Sequence, residues 1–154
     1  MIAAALASVS LVMPGPGSAD VLISRTGSVV AERGEDGISV HGGRNTSFRT
    51  RSWRRYWGWD PYQASAELKA DGASSARRYS LEAGQYLFRI KNLSAVRPAC
   101  SSGAIVILPR KYARYCKGAQ LIIEQELLEK YGPAGIWDAK TDQPTLMWTN
   151  PPNS

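Results

Sequence analysis

The chain has 154 residues and a mass of 16.8 kDa, which fits one domain and is long enough to bury a core without a metal or disulfide staple. With 44% hydrophobic and 21% charged residues the composition excludes a disordered chain. The net charge of +6 is concentrated in residues 44–91, where ten basic side chains stand against four acidic ones. A local basic field of this kind points to phosphate, on nucleic acid or on anionic lipid.

Taken in chain order, Met1–Met13 is apolar and uncharged and is broken by Pro14-Gly15-Pro16-Gly17. It is shorter than the ~20 residues of a transmembrane helix, and it lacks the positive start of a signal peptide. Three readings stay open: a signal-like segment ending near Ala19, the remnant of a membrane helix, or an apolar terminus. Residues 20–150 then form one domain and 151–154 a tail without order. Within the domain, Val21–Ile23, Val29–Ala31 and Ile38–Val40 are short apolar runs separated by glycine turns, which predicts a three-stranded β-meander. His41-Gly42-Gly43 closes it as a loop. Asn45 or Thr46 is expected to cap a helix over residues 47–57, with Phe48, Trp53, Tyr56 and Trp57 on one half of the helical wheel and Arg51, Arg54 and Arg55 on the other.

Asp60-Pro61 reads as the start of a second helix, running to about Ala70, and residues 71–78 as a loop. Tyr79–Leu81 and Gln85–Ile90 form a hairpin. Ala104–Leu108 is a continuous apolar run, as in a strand buried on both faces. Residues 109–115 are a connector of about one helical turn, residues 120–123 a second buried strand, and residues 125–131 a helix stopped by Gly132-Pro133. Residues 134–137 and 145–149 are late strands. The fold class is therefore α/β, mixed α+β: an N-terminal β-meander, two short helices, then a mixed sheet with a parallel strand pair.

Several of these segments, in this order and spacing, resemble the soluble tail of ComEC-type competence proteins of the proteobacterial kind. The segments are Asp20-Val21-Leu22-Ile23-Ser24 with Gly27, Val30-Ala31, Arg33-Gly34 and Gly37; the Phe48/Trp53 spacing; and Cys100 with Ala104-Ile105-Val106-Ile107. They continue with Cys116-Lys117-Gly118-Ala119-Gln120-Leu121-Ile122-Ile123, then Leu127, Gly132 and Ile136-Trp137. The likeness covers roughly residues 18–150. A cysteine-containing stretch expected between residues 71 and 92 is missing. The resemblance implies an accessory domain of an inner-membrane DNA-uptake channel, on the extracytoplasmic side. Its partner would be the transmembrane channel region of the same protein, with a binding or assembly role and no catalysis. The competing expectation is an independent secreted protein, with a carboxylate site if it is an enzyme.

Some members of that wider family carry a metallo-β-lactamase-like nuclease. Such chemistry needs several His and Asp ligands, and this chain has one histidine, His41. No metal, cofactor or small-molecule substrate is therefore expected, and no catalytic residue is assigned. Cys100 and Cys116 each lie four residues before an expected buried strand. If those strands are parallel neighbours, equivalent positions are about 5 Å apart, within disulfide reach. Two buried thiols and a two-cysteine metal site remain as alternatives. Arg44–Trp59 interleaves arginines with aromatics. Arginine holds phosphate while a ring stacks on a base, a combination suited to single strands. Arg49, Arg51, Arg54, Arg55, Trp53, Trp57 and Trp59 are thus candidates for binding single-stranded DNA. An anionic membrane surface is a second possible partner, and the alternative is that the aromatics are core and the arginines a solvated face.

Overall fold

β-Branched runs set the frame. In the computed structural model, which describes residues 17–35, 37–44, 46–60, 66–68, 75–101 and 103–148, strands β1 (Val21–Ile23), β2 (Val30–Arg33) and β3 (Ile38–His41) form the antiparallel meander. Two late strands, β9 (Ala134–Trp137) and β10 (Thr145–Trp148), return to pair antiparallel beside β1. On the other edge β4 (Ala66–Leu68) runs parallel to β3. The first sheet is thus six-stranded, in the order β10-β9-β1-β2-β3-β4. The second sheet has the order β5-β6-β7-β8, with β5 (Ala76–Ser80) and β6 (Tyr86–Ile90) as an antiparallel hairpin. Strands β6, β7 (Ile105–Leu108) and β8 (Leu121–Glu124) are parallel neighbours. This is the mixed α+β fold expected, with an N-terminal antiparallel meander and a parallel pair in the second sheet.

Side-chain alternation along the strands stacks the molecule in four layers. Val21, Ile23 and Val30 of the first sheet and Leu87, Ile105 and Ile107 of the second share the central core, and Leu128 enters it from α4 (Gln125–Tyr131). The intervening positions face outward. Leu22, Ala31 and Val40 pack under Trp53 and Trp57 of α1 (Phe48–Tyr56). Val106 and Leu108 pack with Val96, Ala99 and Cys100 of α2 (Val96–Cys100), and with Tyr112 of α3 (Arg110–Ala113). One helical layer therefore covers each sheet from outside. Tyr79 ties the sheets together: fully buried, its hydroxyl donates to the carbonyls of Gly27 and Ser28 at 3.3 and 3.2 Å.

Several expectations need correction. The helix expected from Asp60 to Ala70 is a strand at Ala66–Leu68, because the open edge of β3 offers that segment a full set of ladder partners and tertiary pairing overrides local helix signals. The remainder of that call, residues 61–65 and 69–70, lies outside the described residues. Strand β5 begins at Ala76, inside the stretch read as loop. Strand β8 is not buried on both faces: it ends its sheet, and Ile122 is exposed. His41 is no loop residue but the buried last residue of β3. Helix α2, with a 3₁₀ turn before it at Leu93–Ala95, was not foreseen. The apolar N-terminal run, residues 1–13, lies outside the described residues.

Candidate functional site

Helix α1 carries the basic-aromatic candidates. Ser47 caps it, in place of the expected Asn45 or Thr46: its hydroxyl accepts from the Thr50 N–H at 3.2 Å, and the Thr50 hydroxyl donates in turn to the Arg44 carbonyl at 2.9 Å. Thr50, Trp53, Arg54 and Trp57, at spacing i, i+3, i+4, i+7, form the inward stripe. This corrects the expected division into an aromatic half and an arginine half. Trp53 and Trp57 are core, and Trp59 packs half-buried against the same cluster. The Trp57 indole N–H donates to the Ala19 carbonyl at 2.7 Å, and the Ala19 N–H donates to the Tyr56 hydroxyl at 3.1 Å, so α1 clamps the segment leading into β1. Arg54 is not solvated but only 2% exposed. Burial pushes its guanidinium pKa down and the charge of Asp60 pushes it back up.

Phe48, grouped with the tryptophans on the wheel, is 75% exposed, and Tyr56 is 49% exposed. Arg49 and Arg55 are exposed and Arg51 is half-buried. The outward stripe is therefore Phe48, Arg51, Ser52 and Arg55, with Arg49 beside it. No acidic residue occurs from Gly37 to Trp59. Arginine at the N-terminal turn opposes the helix dipole, and an isolated phenylalanine in water gains nothing for the fold. Both features break local rules for stability, which is where function is sought.

Cys100 ends α2 and Cys116 follows α3, and the two are joined by a disulfide with Cα atoms 5.2 Å apart. All four pairs of the β7–β8 register differ by 16 residues, from Ile105↔Leu121 to Leu108↔Glu124. The cysteines differ by the same 16, so the parallel register brings them together.

Two polar groups lie between the sheets. Glu32 is buried on β2, and both of its carboxylate oxygens accept from the Glu82 backbone N–H at 2.9 Å. Desolvation raises its pKa to about 6, against the opposing pull of that hydrogen bond. The charge pattern of the sequence did not single it out. His41 meets the Tyr79 ring edge-on, with centroids 6.0 Å apart. Its Nε2 has no hydrogen-bond partner among the described residues, and burial lowers its pKa. The imidazole is only 2% exposed. Among the described residues no three of His, Cys, Asp and Glu come together as a metal site.

No family model, curated protein or solved structure matches the chain. The competence and DNA-uptake assignment, with the inner-membrane and periplasmic localisation that came with it, is corrected accordingly. It finds no family support, and no helix among the described residues is long and apolar enough to cross a membrane.

Proposed function

We propose that this chain is a non-catalytic binding module for single-stranded nucleic acid, with the outward face of α1 as its contact surface. The observation that carries the reading is Phe48, exposed among Arg49, Arg51 and Arg55 on a helix without a single acidic residue. A phosphate at the N-terminal turn would meet both the arginines and the helix dipole, while the ring of Phe48 offers a stacking surface to a base of any kind. The absence of catalysis is supported by the burial of the one imidazole and by Glu32, whose oxygens are spent on a backbone N–H.

The test is fluorescence anisotropy of a labelled mixed-sequence 12-mer, single-stranded and duplex, at two salt concentrations. Binding rests on counterion release, with a log–log salt slope of about −0.7 per phosphate contacted. The triple substitution Arg49→Ala, Arg51→Ala, Arg55→Ala should flatten that slope by roughly two. Phe48→Ala should leave the slope unchanged and weaken single-strand binding by about 1–3 kcal/mol. A preference for duplex, or binding confined to vesicles of anionic lipid, refutes the proposal.

A further inference from the structure

On the far side of the molecule, α2 and the segment after α3 border a groove of about 480 Å³, within the usual volume range of small-molecule sites. Its floor is apolar: Val96 and Cys100 are almost completely buried there. Its walls are two large apolar side chains left half in solvent, Leu93 at 50% and Tyr115 at 49% exposure. Arg97 and Lys117 stand at its rim, both exposed, and the Arg114 guanidinium lies 4.7 Å over the Tyr115 ring. From Ala83 to Ile123 the chain contains seven basic residues and no acidic one, so the groove's own elements supply no carboxylate to balance the rim.

An apolar trough with a cationic lip selects a ligand of matching polarity. We infer that this groove binds a small amphipathic anion: an alkyl or aryl carboxylate or sulfonate whose apolar body lies over Val96 and the disulfide, and whose acid group meets Arg97 and Lys117. Charge complementarity separates this from a generic hydrophobic patch. A neutral body of the same size would fill the floor equally well but would leave the two cations with water alone. The face lies on the opposite outer layer from α1, so the inference does not depend on the nucleic-acid reading.

The test uses the full oxidised chain with three probes: 8-anilinonaphthalene-1-sulfonate for fluorescence, and decanoate and decanol as competitors. One saturable sulfonate site is expected, displaced by decanoate roughly tenfold more effectively than by decanol, the size of one charge-assisted contact. The double substitution Arg97→Ala, Lys117→Ala, at two exposed positions that the fold does not need, should abolish the preference for decanoate while decanol binding persists. Leu93→Ser should weaken decanoate and decanol alike. Equal displacement by decanoate and decanol, an unchanged preference in the double variant, or uptake of the dye without saturation each overturns the inference.

Discussion

Breaking the Cys100–Cys116 bridge should cost stability by an amount the loop length fixes. The bond closes a loop of 16 residues. In the chain-entropy model such a loop withholds from the unfolded state a freedom worth about 3 kcal/mol at room temperature. Both cysteines are buried, at 1% and 7% exposure, and join segments that pack on β7. The double substitution Cys100→Ala, Cys116→Ala therefore removes two sulfurs from the outer core cluster as well as the cross-link, and should cost at least as much. Domains of this kind are stable by only about 5–15 kcal/mol. A loss near 3 kcal/mol thus lowers the melting temperature by roughly 6–12 °C. The assay is urea denaturation of the oxidised protein, the same protein after reduction, and the double variant, with thiol counting by alkylation and mass spectrometry. The loop argument fails if oxidised and reduced proteins share a midpoint to within about 1 kcal/mol, or if two thiols in the native oxidised fold react with the alkylating agent.

Trp53→Ala should cost about 3–5 kcal/mol as a core truncation, and Trp57→Phe about 1–3 kcal/mol by orphaning the Ala19 carbonyl; neither should change the salt slope of oligonucleotide binding, since both rings face β1–β3. Glu32 is raised to about 6 from 4.5, so its contribution is fully present below pH 4.5, is lost as pH rises through 6, and amounts to about 2 kcal/mol. His41 is lowered and acts oppositely, with stability present above pH 6.5 and lost on acidification below it. Glu32→Gln removes the first limb, so urea midpoints of that variant should fall monotonically from pH 7 to pH 5 while the wild type stays flatter. Parallel curves for the two proteins would remove Glu32 from the account.

Much of the fold was legible because its signals were local. Glycine turns between β-branched runs placed the meander, and the unbroken run at 104–108 placed the doubly covered strand β7. The cysteine offsets gave the pairing once β7 and β8 were taken as parallel. What escaped was non-local. Nothing near residues 134–148 says that β9 will lie against β1, because that pairing is chosen by which edge of the first sheet is open. Residues 66–68 carry helix-forming types, and only the free edge of β3 turns them into a strand. The candidate site was half legible. The run of arginines and aromatics was visible, but its phase was not: a wheel centred on four aromatics grouped Phe48 with the tryptophans and Arg54 with Arg51 and Arg55. The stripe of Thr50, Trp53, Arg54 and Trp57 has the better helical spacing, yet it places a cation in the core, which composition alone argues against.

The distribution of charge separates what the fold needs from what it leaves over. Two stretches have no acidic residue at all, Gly37–Trp59 with five arginines and Ala83–Ile123 with seven basic residues. They supply the two outer helical layers, while the 13 acidic residues lie elsewhere, several at turns and on α4. The pairs Arg33–Asp20, Arg110–Glu124 and the long Lys140–Glu82 contact are partly exposed, and pairs of this kind contribute little to stability. Of the five arginines in the first stretch, burial claims only Arg54. Surfaces kept solvent-facing, uniformly basic and studded with exposed rings raise self-repulsion without helping the core. On the two proposals made above, both faces are held for anions: a chain of phosphates along α1, and a single amphipathic acid in the groove beside the disulfide.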